Sequence, residues 1–201
     1  MPDPARLPAP VLTPAAQQTL DTAARLFYDQ GIHAVGVDLI ARESGVTKKT
    51  LYERFGSKEN LVLAYLRQRE HRWREALAEH LERHPEPGID RVLAVFDAAA
   101  AWFPEHAAKG CGAVNARAES AAEPAPDQRL PVEVTAEKTW MLRRFVELVA
   151  EAGVAEPQRH GRALMLLLEG ALVTLATRAF ADPLLAARDT ARLLLTDGTA
   201  A

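Results

Sequence analysis

GVTKKTLYERFGSKENL, residues 45–61, decides how this chain folds. Gly45 supplies a left-handed residue at low steric cost and so ends one short helix, residues 38–43. Asp38 lies in that helix's first turn, where a carboxylate suits the helix dipole. Thr47 then offers a hydroxyl to a free backbone N–H and starts a second helix. In that helix Leu51 and Phe55 are four apart, share one face and turn inward. Lys49 and Glu53 lie most nearly opposite, and Lys48 sits in the first turn. Gly56 and Ser57 repeat the turn and the cap, Glu59 complements the next helix dipole, and Lys58 stands at that helix's N-terminus as a ready phosphate contact. Helix, glycine turn, helix and a capped third helix is the layout of a helix-turn-helix that reads DNA.

Charge points the same way. Residues 42–58 carry five basic side chains against two acidic ones, a net of +3, in a chain whose formal net charge is -3. The cations are Arg42, Lys48, Lys49, Arg54 and Lys58. A basic patch on an acidic protein is expected where only one part touches nucleic acid. Charge alone fits a solvated helical hairpin equally well. The order of caps, turns and apolar residues favours the reader.

The longer stretch GVTKKTLYERFGSKENLVLAYL resembles the signature of TetR-like transcriptional regulators. Upstream, Phe27 and Gly31 match the end of that family's first helix, and Ile40-Ala41 match its I-A pair. The strong resemblance covers residues 19–66, about a quarter of the chain. It implies that Tyr52 and Lys58 hold phosphates and that Thr47, Lys48, Lys49 and Thr50 approach bases, with Arg54 in the same basic patch. Two local departures stand out. Val35-Gly36 replace the hydroxyl residues that often cap the first reader helix, and Lys49 replaces a small residue.

Outward from this centre the chain reads as all-α, with about nine helices. Residues 1–12, with four prolines, read as a disordered arm. Thr13-Pro14 starts a helix with the apolar stripe Leu20, Ala23, Ala24 and Phe27, closed by Gly31. A long helix spans residues 57–83, and Pro85, Pro87 and Gly88 break it. Further helices are expected over 89–106, 113–119, 132–152, 157–180 and 183–195. Trp140, Leu142, Phe145, Val146 and Val149 form the inward face of the helix over 132–152. No segment alternates with a period of two, so no sheet is expected. The division expected is a DNA-binding domain over 13–66 and a helical effector-binding and dimerisation domain over 67–201.

The helices over 159–195 carry runs of leucine, such as Leu164 to Leu168 broken only by Met165. A helix apolar nearly all round is buried on more than one side. A second subunit is the expected cover, giving a four-helix homodimer contact. The resemblance implies the same contact, and it implies an effector pocket for an unidentified small molecule within residues 89–152. Phe96, Trp102 and Trp140 are the candidate walls of that pocket, with Cys111, Asn115 and Glu169 as polar handles. Each aromatic taken singly also reads as plain core. His80 and His84 have metal-compatible i, i+4 spacing but no evident third ligand.

Composition narrows the alternatives. A chain of 201 residues with 48% hydrophobic residues buries a sizeable core. One cysteine excludes an internal disulfide and suits a reducing compartment. Without an apolar spanning run or a signal-like start, the expectation is a cytoplasmic protein with no membrane partner. There is no paired nucleophile and base, no phosphate-cradling glycine loop and no implied cofactor, which argues against an enzyme. A helical protein-binding adaptor is the other alternative. The reading reached is a ligand-responsive repressor that binds a palindromic operator as a dimer.

Overall fold

In a computed structural model, residues 12–106, 109–121 and 128–197 are described. Among them are nine helices and no strand. The N-terminal arm, apart from Leu12, and most of the proline-rich loop after position 121 lie outside the described residues. The chain separates into two compact units. The first is Met1–His71 with Ala116–Leu130, and the second is Arg72–Asn115 with Pro131–Ala201.

In the first unit α1 spans Pro14–Gln30, α2 Val37–Ser44 and α3 Lys48–Phe55. The opening stretch of α4, Lys58–Glu82, belongs here too. Thr13 caps α1 by accepting from the Ala16 N–H, Pro14 takes the first helical position, and Gly31 ends the helix at φ 91°. Leu20, Ala23 and Phe27 are buried as their spacing predicts, and Ala16, Thr19 and Leu26 join them, while Ala24 is only half-buried. Phe27 meets Tyr65 of α4 with ring centroids 5.8 Å apart. The buried hydroxyls of Thr19 and Ser44 donate to the carbonyls of Ala15 and Ile40, one turn back, so neither is left unsatisfied.

Val35 explains one departure from the family pattern. It stands just before Gly36, the N-cap of α2, which makes no side-chain cap bond. Val35 and Ile40 are both fully buried, at the two positions that a hydrophobic staple joins. The entry into α2 is thus fixed by apolar burial where a hydroxyl cap would otherwise serve.

The second unit holds the last turns of α4, then α5 (Ile89–His106), the front of α6 (Gly112–Ala121), most of α7 (Arg129–Glu151), α8 (Pro157–Thr177) and α9 (Pro183–Asp197). α9 packs on both α5 and α8. Arg188 pairs with Asp97 at 2.7 Å and Arg192 with Asp90 at 2.8 Å across the α5–α9 contact. α5 is the apolar centre, with Val92 to Phe96, Ala98 and Ala99 all buried. α7 begins at Arg129, three residues before the expected start, because Pro131 is tolerated in a first turn where its missing N–H costs nothing. Its buried face is Val134, Met141, Phe145, Leu148 and Val149, while Trp140, Leu142 and Val146 are half-buried. α8 ends at Thr177, short of Phe180, because Arg178 adopts the left-handed conformation.

The leucine runs of α8 and α9 divide between two environments. Leu164, Leu168 and Leu172 are buried on one side of α8, as are Leu184, Ala187, Ala191 and Leu195 on α9. On the same helices Leu166 is 73% exposed, Val173 63% and Leu193 66%, and Leu185 and Leu194 are exposed as well.

Candidate nucleic-acid interface

The turn between α2 and α3 is built by Gly45, which sits in the left-handed region at φ 71°, ψ 20°. Its N–H and that of Val46 close back on the carbonyls of Arg42 and Ala41, satisfying the end of α2. Thr47 is extended, and its Oγ1 accepts from the Thr50 N–H at 3.1 Å. The two hydroxyls also meet, with Thr47 Oγ1 and Thr50 Oγ1 2.9 Å apart.

Leu51 and Phe55 are the two buried residues of α3, which fixes the helix's rotation about its axis. That rotation leaves Thr47, Lys48, Lys49, Tyr52 and Arg54 exposed, with Thr50 and Lys58 half-buried. The seven side chains expected to meet DNA therefore all retain access to solvent. Lys49 lies 3.8 Å from Glu53 on its own helix, a loose pair. Lys48 is held more firmly. Its Nζ lies 3.0 Å from Oδ1 and 3.2 Å from Oδ2 of Asp38 on α2. The hydrogen bond from Lys48 to Asp38, helped by the carboxylate's charge, raises the Lys48 pKa above its ordinary value of 10.5.

The reader is buttressed from behind. Ser57 caps α4 by accepting from the Asn60 N–H at 3.1 Å. The Asn60 side chain donates to the carbonyl of Phe55, at the end of α3, at 2.8 Å. Arg129, from the start of α7, donates to Asn60 Oδ1 at 2.7 Å. Glu119, from the end of α6, accepts from the His33 N–H in the α1–α2 turn at 2.8 Å. These two long-range residues belong to the reader's unit, and sequence reasoning missed both. Their sequence separations from their partners, 69 and 86 positions, leave no local signal.

The pocket candidates fall in the second unit. Phe96 is fully buried against Phe145, with centroids 5.7 Å apart. Trp102 packs on Trp73 and Phe103 and stacks on the His106 ring at 4.7 Å. Trp140 lies under the Arg74 guanidinium, 4.1 Å from the ring centroid. Asn115 is exposed and donates to the Lys109 carbonyl. Cys111 and Glu169 are brought together by a residue that sequence reasoning passed over. Lys138 Nζ donates to Cys111 Sγ at 3.2 Å and to Glu169 Oε1 at 2.7 Å. Burial disfavours this ammonium, yet the attraction of Cys111, Glu169 and Glu137 outweighs it and raises the Lys138 pKa above 10.5. Among the described residues no group of three or more His, Cys, Asp and Glu is placed to hold a metal ion.

A left-handed glycine, a capped second helix and an exposed basic face on a three-helix support define a helix-turn-helix DNA-binding protein. Residues 20–65 match the model of the bacterial regulatory proteins of the tetR family. A TetR-family transcriptional regulator from Streptomyces coelicolor, SCO4454, superposes with a TM-score of 0.80 at 33% identity, over 92% of this chain and 96% of that one. The transcriptional activator FasR from Mycolicibacterium smegmatis is 49% identical over 49 residues, which are 24% of this chain and 22% of FasR. The regulator SrpR from Pseudomonas putida is 33% identical over 87 residues, 41% of this chain and 38% of SrpR. The matched stretch thus spans well under two thirds of either curated relative. The chain belongs to the TetR family of transcriptional regulators, which are not enzymes. No helix among the described residues is long and apolar enough to cross a membrane.

Proposed function

We propose that this protein is a dimeric, ligand-responsive repressor whose α3 helices enter successive major grooves of a palindromic operator. Its DNA-binding residues are Thr47, Lys48, Lys49, Thr50, Tyr52, Arg54 and Lys58. The observation that carries the reading is the rotation of α3, which buries Leu51 and Phe55 and leaves its cations exposed. Two such helices meet one face of B-DNA when they lie about 34–36 Å apart. The exposed leucines and valine of α8 and α9 support a second copy of the chain as the cover that sets this spacing. The division of labour proposed is DNA binding by residues 13–66 and effector binding with dimerisation by residues 67–201. Within the latter, Phe96, Trp102, Cys111, Asn115, Trp140 and Glu169 are the pocket residues proposed. An effector that favours a different spacing loosens DNA by its differential affinity for the two states.

FasR bears the name of an activator, and this favours a second reading in which the bound dimer promotes transcription. A gel shift at low salt with DNA flanking the protein's own gene tests the binding itself. A reporter behind that DNA separates the two readings. Repression requires higher expression when the gene is deleted, and activation requires lower. No shift at low salt would favour an adaptor protein instead.

A further inference from the structure

Lys48 and Lys49 are neighbours at the start of α3, yet the fold treats them differently. Among the described residues Lys49 has only the loose 3.8 Å pair with Glu53. Lys48 is grasped by both carboxylate oxygens of Asp38, at 3.0 and 3.2 Å, from a different helix. The two partners are ten residues apart and joined through the Gly45 turn, so the geometry of the helix-turn-helix itself creates the pair. Both side chains remain exposed, at 51% and 78%, so a DNA phosphate has access to the ammonium.

A lysine so held presents little charge to a distant duplex. The attraction that draws any DNA to the reader is diminished by one cation, and Asp38 adds repulsion toward phosphates. Lys48 is released only where close approach supplies an acceptor that competes with Asp38. A loose complex on arbitrary sequence does not supply one, whereas a fully docked reader helix does. We propose that Asp38 is an affinity-setting residue, an electrostatic restraint that occupies Lys48 off DNA and has to be displaced before Lys48 meets a phosphate. This rests on the reading of α3 as the DNA-contacting helix.

The test uses the full chain and two DNA probes, an unselected random 30-base-pair duplex pool and a duplex that the protein itself enriches from that pool. Affinities are measured by fluorescence anisotropy across a salt series. Asp38→Asn is expected to tighten binding to the unselected duplex by about fivefold, the upper end for an exposed ion pair. The same substitution steepens the salt dependence by about one phosphate contact, a slope change near 0.9. Binding to the enriched duplex tightens by at least as much, because the parent breaks the pair to dock and the variant does not. In a Lys48→Met background, Asp38→Asn is expected to tighten binding to the unselected duplex by less than about twofold, from its plain repulsion alone, because the pair acts through Lys48.

Unchanged or weaker binding to the unselected duplex by Asp38→Asn would overturn the proposal. So would tightening that persists in full without Lys48, since that marks bulk charge removal. A melting temperature for each variant identifies any loss of fold, and Asp38→Glu, which keeps the carboxylate, is expected to restore the wild-type affinities. If Lys48→Met leaves both affinities untouched, the assignment of Lys48 to DNA falls with the inference. If it weakens binding while Asp38→Asn does nothing, only the inference falls.

Discussion

Gly161 of α8 lies so close to Val146 of α7 that a methyl group on it would stand 2.5 Å from Val146 Cγ2. The same methyl would meet the Val146 backbone, 3.1 Å from its nitrogen and 3.2 Å from its Cα. The glycine costs α8 some helix propensity, about 1 kcal/mol relative to alanine. In return it lets the two helices touch backbone to side chain. Gly161→Ala is therefore expected to destabilise the protein by about 1–3 kcal/mol, the range for overpacking. Val146→Ala should relieve only part of this, because the backbone contacts remain. Urea unfolding measures both, and an alanine variant as stable as the parent would refute the close approach.

Lys138 is the hub of a half-buried polar cluster, so its removal leaves Glu169 without a 2.7 Å partner. Lys138→Met is expected to cost about 1–2 kcal/mol at pH 7, below the range for fully buried pairs because both side chains keep some exposure. The pKa of Lys138 is raised on folding, so its contribution is complete below pH 10.5 and is lost as pH climbs through the folded value. Melting temperatures from pH 7 to pH 11 should show the parent losing its advantage over Lys138→Met only at the alkaline end. A constant difference across that range would contradict the assignment.

Glu119 ties the end of α6 to the turn before α2 through the His33 N–H. Glu119→Ala removes that acceptor. Amide hydrogen exchange at His33 is expected to quicken by about tenfold, the equivalent of one hydrogen bond of ordinary net strength. The amides of α1 should be unaffected. Unchanged exchange at His33 would show that the carboxylate does not hold the turn.

How much the sequence disclosed depends on the range of the interactions involved. The reader was legible because its determinants lie within a few residues of one another. Thr47 reaches Thr50, Ser57 reaches Asn60, Gly45 closes on Arg42, and Leu51 faces the same way as Phe55. The buttress from Glu119 and Arg129 was not legible, since chain topology alone brings these residues to the turn and to Asn60. Lys138 sits in a charged stretch that reads as a wet helix face until Cys111 and Glu169 are packed beside it. The inward face of α7 was only partly anticipated. Met141 and Leu148 are buried where Leu142 and Val146 were expected, a rotation that a helix rich in apolar residues conceals.

The exposed residues of α8 and α9 bear on assembly. Leu193→Glu places a charge on a side chain that is 66% exposed in the single chain, so the fold should tolerate it. If a second copy covers this face, the charge is desolvated on association and the dimer weakens by about a hundredfold or more, as expected for a buried unpaired charge. Sedimentation velocity of parent and variant decides the matter. Identical distributions would place the contact elsewhere.

The most direct test of the DNA-reading claim is the affinity of Lys49→Ala and Tyr52→Phe for the duplex that the parent protein enriches from random DNA. Fluorescence anisotropy should show weaker binding in both, by about five- to tenfold for the loss of one polar or charged contact. For Lys49→Ala the salt slope should fall by about one contact if it meets a phosphate, and sedimentation should show that both variants assemble as the parent does. Equal affinity for parent and both variants would mean that the exposed face of α3 is not where this protein meets DNA.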